Sequence, residues 1–145
     1  MIKKILVSSL VIAAASAMAF APAQARSLEE IKASGILYVG TTGDYKPMSY
    51  LNQETGRYEG FDAEMAESYA KHLGVKLVYV PTTWKTLQAD TMADKFDVAM
   101  CGITITPARK SVMAMSSGYL TFGKTILVNK AKEAQFTSLE DVNQP

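Results

Sequence analysis

Apolar positions recur along this chain with two periods, and together these predict an order of helices and strands. From Met65 to Leu73 the apolar residues follow helical spacing, whereas the run over 96–101 is apolar on successive positions, as in a buried strand. Glycine, proline and short polar stretches separate such segments. The pattern predicts helices beginning at Ser27, Asp62 and Thr106 and helices over 84–94 and 138–142; strands over 36–41, 75–80, 96–101 and 122–129; and a hairpin of 48–51 with 57–61.

Local signals mark the ends of the first two predicted helices. Ser27 followed by Glu30 is a capping box, and Gly35 is placed to end that helix. Asp62 is the predicted N-cap of the second helix, which Gly74 ends.

The alternation of strands and helices predicts an α/β fold, with a mostly parallel sheet and helices on both faces. Ligands of such sheets bind beyond the carboxyl ends of the strands. Those ends lead into the loops 41–47, 81–84 and 102–106. We therefore expect the three loops to converge on one crevice.

The first 25 residues have the pattern of a secretory signal peptide. Two lysines, Lys3 and Lys4, precede an apolar run over 5–20, and an A-x-A site follows at 23–25. The run is shorter than the roughly 20 residues that span a bilayer. An uncleaved anchor helix is the alternative. If the segment is cleaved, we expect an exported protein with no membrane anchor.

Composition narrows the class of protein further. The chain has 145 residues, a net charge of +1 and 20% charged residues, which suits one small domain and offers no basic stripe for nucleic acid. Cys101 is the single cysteine and His72 the single histidine, so the chain has no internal disulfide and lacks the usual ligands of a zinc site. We expect neither a metal nor a cofactor. Cys101 ends a predicted buried strand, where a core role competes with that of a nucleophile.

Arg109 is the candidate anchor for an acidic ligand. It lies in the first turn of the helix that Thr106 caps, where free N–H groups and a guanidinium can bind a carboxylate together. A solvated surface arginine is the alternative.

The other candidates in the crevice are two aromatic and two polar residues. Tyr45 and Trp84 have flat faces that can enclose an apolar or ring-shaped ligand, although each can equally pack its own loop onto the domain. Asp44 can accept a hydrogen bond from a ligand or from its own turn, and Thr104 can donate a hydroxyl.

Residues 118–125 match the P-loop pattern G-x-x-x-x-G-K-[ST] letter for letter. A P-loop needs a flexible loop leading into a helix, whereas Tyr119, Leu120 and Phe122 make this one bulky and a predicted strand follows. We interpret the match as coincidence.

Four runs of the sequence resemble the periplasmic solute-binding proteins of family 3. They cover 40–50, 58–62, 96–100 and 102–109, in order and at normal spacing. The runs 42–47 and 81–84, with Asp90 ahead of 96–100, are most similar to the cyclohexadienyl dehydratase branch, which acts on prephenate or arogenate. The resemblance implies a periplasmic protein with two α/β lobes joined by a hinge. It assigns a signal peptide to 1–25, lobe one to 26–116, the first hinge crossing to 117–121 and the start of a truncated lobe two to 122–145.

The resemblance also implies roles for the crevice residues. Arg109 would bind a ligand carboxylate, Tyr45 and Trp84 would form ring walls, and Asp44, Gly102 and Thr104 would add polar contacts. The catalytic glutamate of the dehydratase branch belongs to lobe two and has no counterpart here, so we expect no catalytic residue and no turnover from these residues. The substrate-binding component of a polar amino-acid ABC transporter, paired with a membrane importer, is the alternative.

Overall fold

The computed structural model describes residues 25–123 and 125–142. The chain forms two compact units, one ending at Ala114 and one beginning at Met115. The predicted signal peptide lies outside the described residues except for Ala25. The first unit contains α1 (Leu28–Ser34), β1 (Ile36–Thr41), β2 (Asp44–Tyr45), β3 (Ser49–Leu51), β4 (Tyr58–Glu59), α2 (Phe61–Leu73), β5 (Lys76–Pro81), α3 (Leu87–Met92), β6 (Val98–Ala99) and α4 (Pro107–Lys110). The second unit contains a 3-10 helix (Lys130–Gln135) and α5 (Leu139–Val142).

A parallel sheet with β1 at its centre organises the first unit, which confirms the predicted α/β class. The strand order is β5-β1-β6, and β1 pairs in parallel with both neighbours. A separate antiparallel sheet, β2-β3-β4, contains the predicted hairpin. Because β1, β5 and β6 run in one direction, their carboxyl ends lie at the same edge of the sheet.

Apolar side chains cover both faces of this sheet. One cluster contains Ile31 of α1, Leu37 and Val39 of β1, and Ala66 and Ala70 of α2. The other cluster brings together Leu87 of α3, Phe96 and Cys101. Burial on both faces explains why β1 is almost continuously apolar in sequence.

The predicted ends of α1 are confirmed. Ser27 Oγ accepts the backbone N–H of Glu30, and the Glu30 carboxylate accepts that of Ser27 at 2.7 Å. Gly35 is left-handed and donates its N–H to the carbonyl of Lys32.

The prediction that Asp62 caps α2 is wrong. The helix begins at Phe61, Gly60 occupies the cap position, and Asp62 is fully buried in the first turn. At Gly60 a Cβ would lie 2.5 Å from the carbonyl oxygen of Pro47, so the backbone itself passes too close for any side chain there.

Several predicted segments are shorter than expected. The helix predicted over 84–94 covers only Leu87–Met92, because Thr83 and Thr86 hold the preceding residues in a turn. The strand predicted over 96–101 pairs only at Val98–Ala99, since the Asp97 side chain accepts the N–H of Tyr38 at 2.7 Å.

Other segments differ in kind from the prediction. The loop predicted over 42–47 contains the short strand β2. Among the described residues of 122–129 no strand forms, so that prediction is wrong, whereas the short helix predicted near 138–142 is present as α5. No helix among the described residues has the length and apolar character needed to cross a bilayer.

Candidate functional site

The three predicted crevice loops leave the same edge of the parallel sheet. The loop after β1 contains Asp44 and Tyr45, the loop after β5 contains Trp84, and the loop after β6 contains Gly102 and Thr104. The Thr82 N–H donates to the Thr41 carbonyl at 3.0 Å, which joins the first two loops where they begin. This edge is where a parallel sheet places a ligand.

Tyr45 and Trp84 form an aromatic pair. Their ring centroids lie 5.9 Å apart with planes at 75°, the edge-to-face arrangement that aromatic pairs favour. Trp84 Nε1 also donates a hydrogen bond to Asp44 Oδ1 at 2.9 Å. Trp84 is 40% exposed, so part of its ring is open to a ligand.

Gly102 makes room for the Tyr45 ring. A Cβ built at Gly102 would lie 2.7 Å from Tyr45 Cε1, and the residue has φ +74°, which side chains rarely tolerate. Its N–H donates to the buried Asp62 carboxylate. The loop after β6 is thus held from inside the domain by α2.

Arg109 lies at the far end of this loop, at the start of α4. Thr106 Oγ1 accepts the Arg109 backbone N–H at 3.2 Å, which confirms Thr106 as the cap. The Arg109 guanidinium donates through Nη1 to the Thr104 carbonyl oxygen at 2.8 Å. Its remaining N–H groups include those that a ligand carboxylate needs for a two-point contact.

The structure therefore brings four of the predicted site residues into direct contact, namely Asp44, Tyr45, Trp84 and Gly102. Thr104 and Arg109 contact each other and connect to that group through the backbone after Gly102. Arg109 contacts the carbonyl oxygen of Thr104, and donation by the Thr104 hydroxyl to a ligand stays a prediction.

Hollows indent the first unit, and two of them lie near the parallel sheet and the hairpin. One of about 740 Å³ opens on the hairpin side and is lined by Asp44, Tyr45 and residues around Tyr50. Another of about 340 Å³ lies near Tyr38 and Phe96. Neither of these two hollows is lined by Trp84 or Arg109.

Two further polar residues near this edge, Asp90 and Cys101, have shifted pKa values. Hydrogen bonds from Lys95 and Thr82 lower the pKa of Asp90 from 3.8 to about 2, so this carboxylate stays charged at neutral pH. Burial raises the pKa of the Cys101 thiol to about 11, so it stays protonated, as expected of a core residue. Among the described residues no three His, Cys, Asp or Glu side chains cluster as metal ligands.

Asp62 is predicted as a helix cap, whereas it is a buried residue of α2. It precedes Ala66 and Ala70 at intervals of four residues, and all three are buried on the same face of α2. This spacing was the available signal, because an aspartate on a buried helix face must meet a hydrogen-bond donor in the interior.

Comparison with known proteins identifies relatives of this chain. Residues 37–141 match the family model described as bacterial extracellular solute-binding proteins, family 3. Cyclohexadienyl dehydratase of Pseudomonas aeruginosa is 46% identical over 97% of this chain and 52% of its own length. The chain thus spans about half the length of this curated relative.

Two solved structures show the same likeness. An ancestral amino-acid-binding protein, described as a precursor of cyclohexadienyl dehydratase, aligns with a TM-score of 0.76 at 47% identity over 81% of this chain and 52% of its own. The arginine-bound form of domain 1 of ArgBP from T. maritima aligns with a TM-score of 0.59 at 39% identity over 62% of this chain and 71% of its own. With a family match across most of its residues, this chain belongs to the bacterial extracellular solute-binding proteins of family 3.

Proposed function

We propose that this chain forms one half of a binding site for a small amino-acid-like carboxylate, in an exported protein of the cyclohexadienyl dehydratase branch. The observation that carries the proposal is the aromatic wall of Tyr45 and Trp84, which stands at the carboxyl edge of the sheet. Arg109 lies at the end of an adjoining loop and would bind the ligand carboxylate.

Different residues of the proposed site would recognise the apolar part and the acidic part of such a ligand. The partly exposed Trp84 ring offers an apolar face for a side chain or a cyclohexadienyl ring. At the other end of the site, the Arg109 guanidinium offers paired donors to the carboxylate. Domain 1 of ArgBP has been solved in an arginine-bound form, which supports ligand binding by a comparable part of this fold.

For the longer protein we propose two lobes that close on the ligand. In this proposal residues 26–116 are most of lobe one, 117–121 are the first hinge crossing and 122–145 begin lobe two. Residues 1–25 would be removed on export to the periplasm.

Dehydration of prephenate requires an acid that protonates the leaving hydroxyl while carbon dioxide departs, and aromatisation drives the step. Within this chain, Tyr45, Trp84 and Arg109 would orient the ring and a carboxylate, and closure would exclude water. We propose that the acid belongs to lobe two. The chain alone is then expected to bind prephenate or arogenate without turnover.

A passive role in amino-acid import is the second candidate. The likeness to an ancestral amino-acid-binding protein favours it, since that protein aligns over 81% of this chain at 47% identity. In that case the ligand would be an amino acid handed to a membrane importer.

Calorimetric titration with prephenate, arogenate and a panel of amino acids tests the proposal. We expect Arg109→Ala to weaken binding of the preferred ligand about tenfold or more, because a two-point charged contact is lost. Arg57→Ala is the matched control, since Arg57 is an exposed arginine of the hairpin turn. Unchanged affinity in Arg109→Ala would refute the anchor.

Phenylpyruvate production separates the two roles. Turnover of prephenate by the longer protein supports the dehydratase, whereas amino-acid binding without turnover supports the importer component. Turnover by these residues alone would contradict the assignment of the acid to lobe two.

A further inference from the structure

A side-chain hydrogen bond connects the loop after β1 to the loop after β5, in addition to the backbone bond from Thr82 to Thr41 where the two loops begin. Trp84 Nε1 donates to Asp44 Oδ1 at 2.9 Å across 40 residues of sequence. We infer that Asp44 is a positioning residue: its carboxylate holds the Trp84 indole as a wall for the ligand and does not bind the ligand itself. The inference rests on the proposed function, because it assigns roles within that site.

The backbone beneath Trp84 is fixed by its own turn. The hydroxyls of Thr83 and Thr86 are hydrogen-bonded at 2.9 Å, and the Leu87 N–H donates to the Thr83 carbonyl at 2.8 Å. This turn determines where the Trp84 Cα lies, but it does not determine the direction of the ring. Since the residue is partly exposed, that direction depends on the side chains that touch the indole.

Tyr45 and Asp44 both contact the indole, and they act differently. Tyr45 touches it edge-to-face, with ring centroids 5.9 Å apart. Asp44 accepts from the single N–H of the indole, and a hydrogen bond of this kind constrains both position and orientation. Asp44 is itself held by the hairpin, where it pairs with Tyr50 in the antiparallel sheet.

The bond also decides which part of the indole a ligand meets. Because the N–H already has a carboxylate acceptor, the ring offers its apolar face rather than a donor. The Asp44 oxygen Oδ1 is likewise engaged by the indole. This assignment replaces the expectation that Asp44 binds a ligand ammonium or hydroxyl.

Trp84 is the single tryptophan of the chain, so its fluorescence reports on this bond directly. In the purified chain without ligand, we expect Asp44→Leu to lower the anisotropy of Trp84 emission and to increase quenching by acrylamide. Asp44→Asn keeps an acceptor oxygen and should restore both toward the parent values. Glu29→Leu, which removes an exposed carboxylate from α1, is the control and should change neither. If Asp44→Leu leaves anisotropy and quenching unchanged, the inference is overturned.

Binding of prephenate and of L-arginine separates positioning from direct contact. We expect Asp44→Leu to weaken the probe that binds by roughly threefold to tenfold, the effect of one lost hydrogen bond, and Asp44→Asn to rescue it. Trp84→Phe keeps a ring but has no N–H, so Asp44→Leu should cause little further loss in that background. Additive losses, or equal losses in Asp44→Asn and Asp44→Leu, would show that Asp44 contacts the ligand.

The two experiments fail independently. If the parent chain binds neither probe, the proposed function falls and the role of the wall in ligand binding falls with it. The fluorescence comparison still decides whether Asp44 orients Trp84.

Discussion

Single residues at the carboxyl edge of the sheet owe their roles to contacts that sequence neighbours do not reveal. Gly102 is needed because the Tyr45 ring occupies the space where its Cβ would lie. Asp62 is buried because the N–H of Gly102 needs an acceptor in the interior. Both roles arise from pairs far apart in the chain.

Gly102→Ala should destabilise the first unit more than Gly56→Ala. Both glycines have positive φ, but only Gly102 faces a ring at 2.7 Å, whereas a Cβ at Gly56 meets nothing within 4 Å. We expect about 1 kcal/mol from the backbone alone at Gly56, and a larger loss at Gly102 because Tyr45 must move. Urea unfolding of both variants measures the difference, and equal losses would contradict the packing argument.

Asp90 should make the stability of the first unit depend on pH in the acidic range. Its pKa falls from 3.8 to about 2 on folding, so its stabilising contribution is complete above pH 3.8 and disappears as the pH falls toward 2. Melting temperatures of Asp90→Asn should therefore change less with pH in this window than those of the parent chain.

A carboxylate elsewhere provides the comparison for Asp90. Glu64→Gln alters an exposed acid of α2 and should follow the parent profile. Parallel profiles for the parent chain and Asp90→Asn would show that this carboxylate does not contribute.

At the scale of elements, one ion pair ties the segment before α1 to two strands of the sheet. The Arg26 guanidinium donates to both oxygens of Asp97, at 2.8 and 2.5 Å. The same Asp97 accepts the N–H of Tyr38 in β1, and Arg26 also donates to the Ile36 carbonyl. The side chain of Asp97 thereby replaces part of the ladder between β1 and β6.

Asp97→Ala should cost about 2 kcal/mol of unfolding free energy, because a buried carboxylate with three hydrogen bonds is lost and the Tyr38 N–H loses its acceptor. Arg26→Ala should be milder, since the bond to Tyr38 remains. Urea denaturation compares them. A larger loss in Arg26→Ala would reverse this ranking.

Sequence patterns predicted most elements where local chemistry decides the structure. The capping box at Ser27, the glycine end of α1 and the threonine cap of α4 depend on neighbours within four residues, and all are confirmed. The short β6 and the burial of Asp62 depend on partners 40 or more residues away, so local patterns missed them. In the site, the sequence located the loops, but the bond between Asp44 and Trp84 became visible only in three dimensions.

At the scale of the whole molecule, large apolar side chains remain exposed in both units. Met92 is 60% exposed in the first unit and Leu127 is 96% exposed in the second. Where such side chains lie side by side, the apolar patch they form is typical of interaction faces or of proteins that aggregate.

We expect the purified chain to associate as its concentration rises. Size-exclusion chromatography with light scattering over a range of concentrations measures this. Leu127→Lys should reduce association, and Lys132→Gln is a control on the exposed surface of the same unit. A monomer at every concentration, with a sharp cooperative melt, would contradict the expectation.

Because the sulfur of Cys101 is buried, the rate at which this thiol is labelled reports how often the interior of the first unit opens. Its side chain is fully enclosed and its proton is held tightly at neutral pH, so an alkylating reagent reacts only with molecules that have transiently opened. Because the chain has no other thiol, the labelling rate counts these openings directly. A ligand that binds across the sheet edge should slow the labelling, which gives an assay for unknown ligands that needs neither turnover nor a chromophore.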